Sequence, residues 1–158
     1  MHLVLVDDEP AILDVLAAAC TADGHTVITF SSSSDALRYL AANPADLLIT
    51  DIVMPPPDGF RLVSAARKAL PDLAAILVTG YSSRYSLEDV LACGAGDLLF
   101  KPFRLQELRA RVRLAQERRR LQIQWQPRAL SGDRPTDRPS DAEVEARRAL
   151  YDLARKAG

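Results

Sequence analysis

Cysteine is nearly absent from this chain: Cys20 and Cys93 are the only two among 158 residues. Each lies inside a helical pattern, so they read as reduced core thiols rather than as a disulfide framework. Long apolar runs are missing too. None approaches the ~20 residues that a membrane helix needs, so no membrane partner is expected. The N-terminus enters a strand pattern at once, without a basic segment ahead of an apolar core. No secretory signal is therefore expected, and the cytoplasm is the expected compartment. No internal repeat longer than a strand–helix unit occurs. Residues 124–158 are too few for a winged-helix domain and lack the apolar pattern of a compact helix-turn-helix.

What is present suits one domain with an appendage. The 48% hydrophobic content is enough for a buried core. The net charge of -1 hides an asymmetry. Residues 1–100 carry 5 basic and 13 acidic side chains, residues 101–128 carry 9 and 2, and residues 129–158 carry 6 of each. An acidic block is therefore followed by a basic helix and its exit.

Strand and helix signals alternate along the acidic block. Strands are expected at residues 2–6, 26–30, 47–50, 75–79 and 98–100, where short apolar or β-branched runs are bounded by turn residues. Between them, helices are expected from Pro10 to Ala22, from a cap at Ser33 or Ser34 to Ala42, from Gly59 to Leu70 behind an Asp58 cap, and from Ser86 to Cys93. A last helix starts near Arg104 and reaches Ile123 or Trp125, with Leu105, Leu108, Val112 and Ala115 along one face. Five strand–helix units in a row imply a doubly wound α/β fold, a parallel sheet covered by helices on both sides. The Pro-rich segment 124–140 reads as a linker. Residues 141–158 read as a short C-terminal helix, with Ser140 and Glu143 as a capping box and Val144, Leu150, Tyr151 and Leu153 as a thin apolar stripe. A helix of that size needs a partner surface.

The polar residues at the strand ends carry the chemistry. Asp7 and Asp8 end the first strand, Asp51 the third and Thr79 the fourth, and Lys101 follows the fifth. Open parallel sheets place their sites at these carboxyl ends. Adjacent carboxylates such as Asp7-Asp8 repel unless a cation or solvent separates them, and a Mg²⁺ site would hold them. Asp51 is a candidate nucleophile toward a phosphoryl group. The Lys101 ammonium and the Thr79 hydroxyl are placed to meet phosphoryl oxygens. Individually these residues also have structural readings: a helix-capping acid, a Lys101–Asp51 ion pair, a β-forming threonine. His2 and His25 lie at no strand C-terminus, so neither is expected to donate phosphate or ligate metal.

Four segments in order, VLVDDEP, LLITDIVMPPPDGF, ILVTGYSS and GAGDLLFKPF, resemble the motifs of the CheY-like receiver domain of bacterial two-component response regulators. The resemblance covers residues 1–123. It implies a flavodoxin-like five-stranded sheet of order 2-1-3-4-5 and a phosphoacceptor signalling domain rather than an enzyme, with self-catalysed phosphotransfer and autodephosphorylation. Asp51 would accept phosphate from the phosphohistidine of a sensor histidine kinase or phosphotransfer protein. Asp8, Asp51 and the backbone carbonyl of Val53 would bind Mg²⁺, with Asp7 acting mainly through a metal-bound water. Thr79 and the residue three before the lysine would form the switch. Here that residue is Leu98, where the family usually carries Tyr or Phe. Val53 and Tyr81 would flank the site and limit water access.

The arginines of the last helix, among them Arg109, Arg111 and Arg118 to Arg120, leave three readings open. They form a solvated face bridged to the acidic face of another subunit, a homodimer contact, or a salt-sensitive nucleic-acid contact. The leading expectation is a receiver that signals by phosphorylation-dependent contact with a downstream protein. A DNA-binding transcription regulator is the alternative.

Overall fold

The computed structural model describes residues 1–81, 84–125 and 141–156, apart from the side chains of residues 87, 123–125 and 143. Elements alternate as β1 (His2–Val6), α1 (Pro10–Ala22), β2 (Thr26–Phe30), α2 (Ser33–Ala42), β3 (Leu47–Asp51), α3 (Gly59–Ala69), β4 (Ala74–Thr79), α4 (Leu87–Ala92), β5 (Asp97–Phe100), α5 (Leu105–Trp125) and α6 (Asp141–Lys156). All strand pairs are parallel, in the order β2-β1-β3-β4-β5. The doubly wound expectation therefore holds, including the strand order.

The pleat sorts the strand residues into two cores. Leu3, Leu5, Leu47, Ile49, Ile76, Val78 and Leu99 face α1 and α5. Val4, Val6, Leu48, Leu77 and Leu98 face the other side, with the apolar residues of α2, α3 and α4. Apolar side chains on both faces account for the continuous runs in the sequence.

Helix starts follow local chemistry. Asp58 caps α3, its Oδ1 accepting from Arg61 N at 2.9 Å. Ser86 and Asp89 form a reciprocal capping box on α4. The cap of α2 is Ser32, which accepts from Asp35 N at 3.4 Å, not Ser33 or Ser34. Those two lie inside the helix and are buried. Adjacent serines satisfy the same rule, so the sequence could not choose among them, and burial did.

On α5, Leu108 and Val112 are buried and Ala115 partly so, but Leu105 stands 38% exposed. The apolar stripe thus starts one turn later than expected. Three α5 arginines meet acids from distant segments of their own chain. Arg109 meets Asp23 at 2.9 Å, Arg119 meets Asp46 at 2.9 Å, and Arg111 meets Asp97 at 3.7 Å. The basic helix lies on its own acidic block, each pair contributing about 0.2–1 kcal/mol.

The C-terminal helix finds its partner surface here too. α6 packs on α2 and α3, and of the expected stripe only Leu150 takes part. Leu150 and Ala154 are buried, and Ala146 packs against the same core. Val144, Tyr151 and Leu153 are exposed by 50%, 52% and 42%. Residues 146, 150 and 154 repeat every four positions, so they align on one face. Alanine on that face lets two helices approach closely. The expected linker over 124–140 begins later, because Gln124 and Trp125 belong to α5; residues 126–140 and the Ser140–Glu143 capping box lie outside the described residues.

Replacing Leu150 with aspartate is expected to unseat α6 without unfolding the sheet. Burying an unpaired carboxylate costs several kcal/mol, more than one helix interface supplies. Hydrogen exchange should then show α6 amides unprotected and β1–β5 amides unchanged. Equal loss of protection throughout would show that α6 is integral to the core.

Candidate functional site

The carboxyl ends of β1, β3, β4 and β5 meet in one acidic pocket. Ile52 N donates to Val78 O at 2.8 Å and Lys101 N to Thr79 O at 2.7 Å, so backbone bonds hold the strand ends together. Carboxylate oxygens of Asp7, Asp8 and Asp51 lie within 4.8 Å of one another. Lys101 Nζ sits 2.8 Å from Asp7 Oδ2, 3.6 Å from Asp51 Oδ2 and 3.8 Å from Glu9 Oε1. The closest partner of the lysine is therefore Asp7, with Asp51 second. The Lys101–Pro102 peptide is cis.

The three acids are not equivalent. Asp7 is buried with both oxygens engaged: Oδ1 accepts from Glu9 N at 3.0 Å and Oδ2 from Lys101. Asp8 is exposed. Asp51 is 7% exposed, and its Oδ1 is buried without a hydrogen-bond partner. Burial pushes the Asp51 carboxyl up to about 6; Lys101 opposes the rise, while Asp7 and Asp8 add to it. Burial also disfavours the Lys101 ammonium. The hydrogen bond to Asp7 and the charges of Asp51, Asp7 and Glu9 outweigh that effect and hold its pKa above the ordinary lysine value.

Four carboxylates, Asp7, Asp8, Asp51 and the more exposed Glu9, face one ammonium, which leaves an excess of negative charge around an orphaned carboxylate oxygen. Such an excess, close-set and all-oxygen, fits a divalent cation of the Mg²⁺ type. Thr79 is buried at the end of β4, and its Oγ1 accepts from Tyr81 N at 3.1 Å. Its hydroxyl proton remains available to an incoming acceptor.

Two contributors were missed in the sequence. Gly59 opens α3 with its amide on Ile52 O at 3.0 Å. A Cβ there would lie 2.2 Å from the backbone oxygen of Asp51. The signal was present, a glycine directly after the capping Asp58, but only the fold shows which backbone it meets. Glu9, beside Lys101, was read only as part of a helix start.

Of the flanking positions, Val53 is 39% and Tyr81 53% exposed. Leu98 is buried in the core shared with Val90 of α4, whereas Phe100 points outward. Leu98→Tyr would force a larger ring into filled space. It is expected to lower stability by about 1–3 kcal/mol, readable as a lowered urea midpoint. An unchanged midpoint would mean that the ring finds an outward position. His2 is structurally satisfied, with Nδ1 2.7 Å from Pro44 O and Nε2 3.1 Å from Tyr39 Oη. His25 takes no part in the acidic pocket.

The family model described as the response regulator receiver domain matches residues 3–113. The chain belongs to this family. NtrC of Azospirillum brasilense, a DNA-binding transcriptional regulator, is 36% identical over 106 residues, covering 67% of this chain and 22% of NtrC. The CheY-like receiver domain protein of Methanospirillum hungatei superposes with a TM-score of 0.71 at 27% identity, over 77% of this chain and 97% of that one. TrrA of Thermotoga maritima, solved in complex with Mg²⁺ and BeF, gives a TM-score of 0.66 at 31% identity, over 72% of this chain and 97% of TrrA. The chain spans between 22% and 51% of the length of such curated relatives.

The receiver is thus a signalling phosphoacceptor domain of two-component systems. Receivers of this family bind Mg²⁺ at an acidic pocket and take their signal from histidine kinases. No helix among the described residues is long and apolar enough to cross a membrane.

Proposed function

We propose that Asp51 accepts the phosphoryl group in this receiver, from the phosphohistidine of a sensor histidine kinase or phosphotransfer protein. The observation that carries this reading is Asp51 Oδ1, buried and without a hydrogen bond in a pocket that also holds Lys101. A carboxylate oxygen that no protein group engages keeps its lone pairs for phosphorus, and the Asp51 residue retains 7% exposure. Its lone pair forms the O–P bond as the P–N bond breaks, and the imidazole leaves with that electron pair. Lys101 Nζ, 3.6 Å from Asp51 Oδ2, pairs with the incoming phosphoryl oxygens. The Thr79 hydroxyl donates to another.

Asp8, Asp51 and the Val53 carbonyl would hold Mg²⁺, and Asp7, already bonded to Lys101 and Glu9, would act through a water. When bound, the cation neutralises phosphoryl oxygens. Loss of the group by hydrolysis follows from the same site, with Val53 and Tyr81 at its rim. Thr79 and Leu98 form the switch by aliphatic repacking, since leucine has neither ring nor hydroxyl. The receiver unit, expected over residues 1–123, runs to the end of α5 at Trp125, and residues 126–140 lead from it to the helix within 141–158. The output is a phosphorylation-dependent contact with a downstream protein.

Incubation of the full chain with Mg²⁺ and acetyl phosphate, followed by intact mass, tests the reading. One phosphoryl adduct is expected, and chelation of Mg²⁺ should suppress it. No adduct with any small donor or kinase would leave a pocket that does not accept phosphate.

A further inference from the structure

The seating of α6 creates a groove that the five strand–helix units alone do not have. It lies between α3, α4 and α6, with a volume of about 1150 Å³. Phe60 and Ala65 of α3 form one wall, Tyr85 and Cys93 at the two ends of α4 a second, and Ala149 and Leu153 of α6 the third. The Phe60 and Tyr85 rings stand 5.2 Å apart and form an aromatic floor.

The rim is basic. Arg61, Lys68 and Arg84 border the groove against one acid, Asp89. Asp89 is occupied by the Ser86 amide and hydroxyl, at 2.8 and 2.9 Å. Among the described residues, none of the three rim cations forms an ion pair. They differ in this from Arg109, Arg111 and Arg119 of α5, which all meet acids of their own chain. Arg84 instead lies 5.9 Å from the centroid of the Tyr85 ring.

We propose that this groove docks an amphipathic helix of a partner protein, one whose apolar stripe is flanked by acidic side chains. The volume exceeds the roughly 300–1,000 Å³ of ordinary small-molecule sites. Among the described residues the lining comes from α3, α4, the turn before α4 and α6, with no strand edge, so an incoming segment has no strand there to extend. It has to dock side chains into a helical groove. The three unpaired cations set the sign of its charge and favour encounter with an acidic surface. One wall belongs to α6, so the groove exists only while α6 is seated.

The proposal concerns the groove alone and holds whether or not Asp51 is the phosphoacceptor. It is tested by selecting a random peptide library on the immobilised full chain. The enriched sequences should carry apolar residues at i, i+3 or i+4, and i+7, with Asp or Glu beside them. Their affinity should fall about tenfold or more with Ala149→Glu, which places bulk and negative charge in the groove. Lys68→Glu should weaken them in the same direction, with circular dichroism confirming that each variant is folded. Recovery of basic peptides, of no peptides, or of peptides indifferent to both substitutions overturns the proposal. So does a homodimer that Ala149→Glu dissolves, which would assign the groove to a second copy of the chain.

Discussion

Asp51→Asn is expected to abolish phosphoryl uptake and to raise the stability of the metal-free protein. The first effect follows from chemistry: an amide oxygen is not a nucleophile toward phosphorus, and no other described carboxylate combines burial, an orphaned oxygen and a neighbouring ammonium. The second follows from the energy of the unmodified pocket. Asp51 is ionised at neutral pH although burial and two neighbouring acids disfavour its charge.

A carboxyl raised from 3.8 to about 6 binds its proton more tightly in the folded than in the unfolded chain. Its contribution to stability is therefore best below pH 4, declines as pH rises toward 6, and stays unfavourable above that. At about 1.4 kcal/mol per pH unit the penalty at pH 7 is on the order of 3 kcal/mol. Asparagine removes the charge, and Lys101 keeps its 2.8 Å partner Asp7, so no buried ammonium is orphaned. Thermal melts in a chelator should show the variant roughly 5–10 °C more stable at pH 7, with the gap closing toward pH 4. Mg²⁺ should narrow the gap at pH 7 by stabilising only the ionised site. A variant less stable than the parent at pH 7 would contradict the electrostatic account.

Gly59→Ala is expected to damage both fold and site, for a steric reason. The added Cβ would stand 2.2 Å from the Asp51 carbonyl oxygen and 2.9 Å from Ile52 Cα. Both are backbone atoms, so no side-chain rotation relieves the clash. The first turn of α3 must retreat from the end of β3, stretching the Gly59–Ile52 hydrogen bond and shifting the bend that carries Val53. Overpacking of this kind costs about 1–3 kcal/mol. The melting temperature should fall, and calorimetric titration should show weaker Mg²⁺ binding. Gly80→Ala is the control. A Cβ at Gly80 meets nothing within 4 Å, so its effect should stay within about 0.5 kcal/mol. If the two variants melt together, the close approach at Gly59 is not structurally significant.

The site was legible from the chain because its information is local. Each candidate residue sits at or just past the end of an apolar run, and parallel sheets gather those ends. Asp7, Asp8, Asp51, Thr79 and Lys101 could be placed on one rim before any contact was known. The division of labour among the acids was not legible. Asp7-Asp8 is a symmetric pair in the sequence; burial of one and exposure of the other depend on how β1 lies between β2 and β3. The nearness of Lys101 to Asp7 rather than Asp51 is likewise a distance across the sheet.

The appendage shows the same boundary. An amphipathic helix within 141–158 is readable from hydrophobic spacing, but its docking face is not. Of the expected stripe Val144, Leu150, Tyr151 and Leu153, only Leu150 is buried; it packs with Ala146 and Ala154, which the spacing of the bulky residues did not indicate. Helix packing rewards fit against a particular neighbour, so small residues can win over larger apolar ones. The arginines of α5 carried no partner in their spacing, because Asp23, Asp46 and Asp97 come from distant segments.

By itself, then, the sequence determined the βα alternation, the parallel sheet and the residues gathered at its carboxyl edge, since strand periodicity and turn chemistry act over a few neighbours. Only the tertiary structure decided which acid is buried, why position 59 must be glycine, where the basic helix finds its counter-charges, and that α6 folds back to build a groove. Each of these depends on atoms far apart in the chain and brought together only by packing.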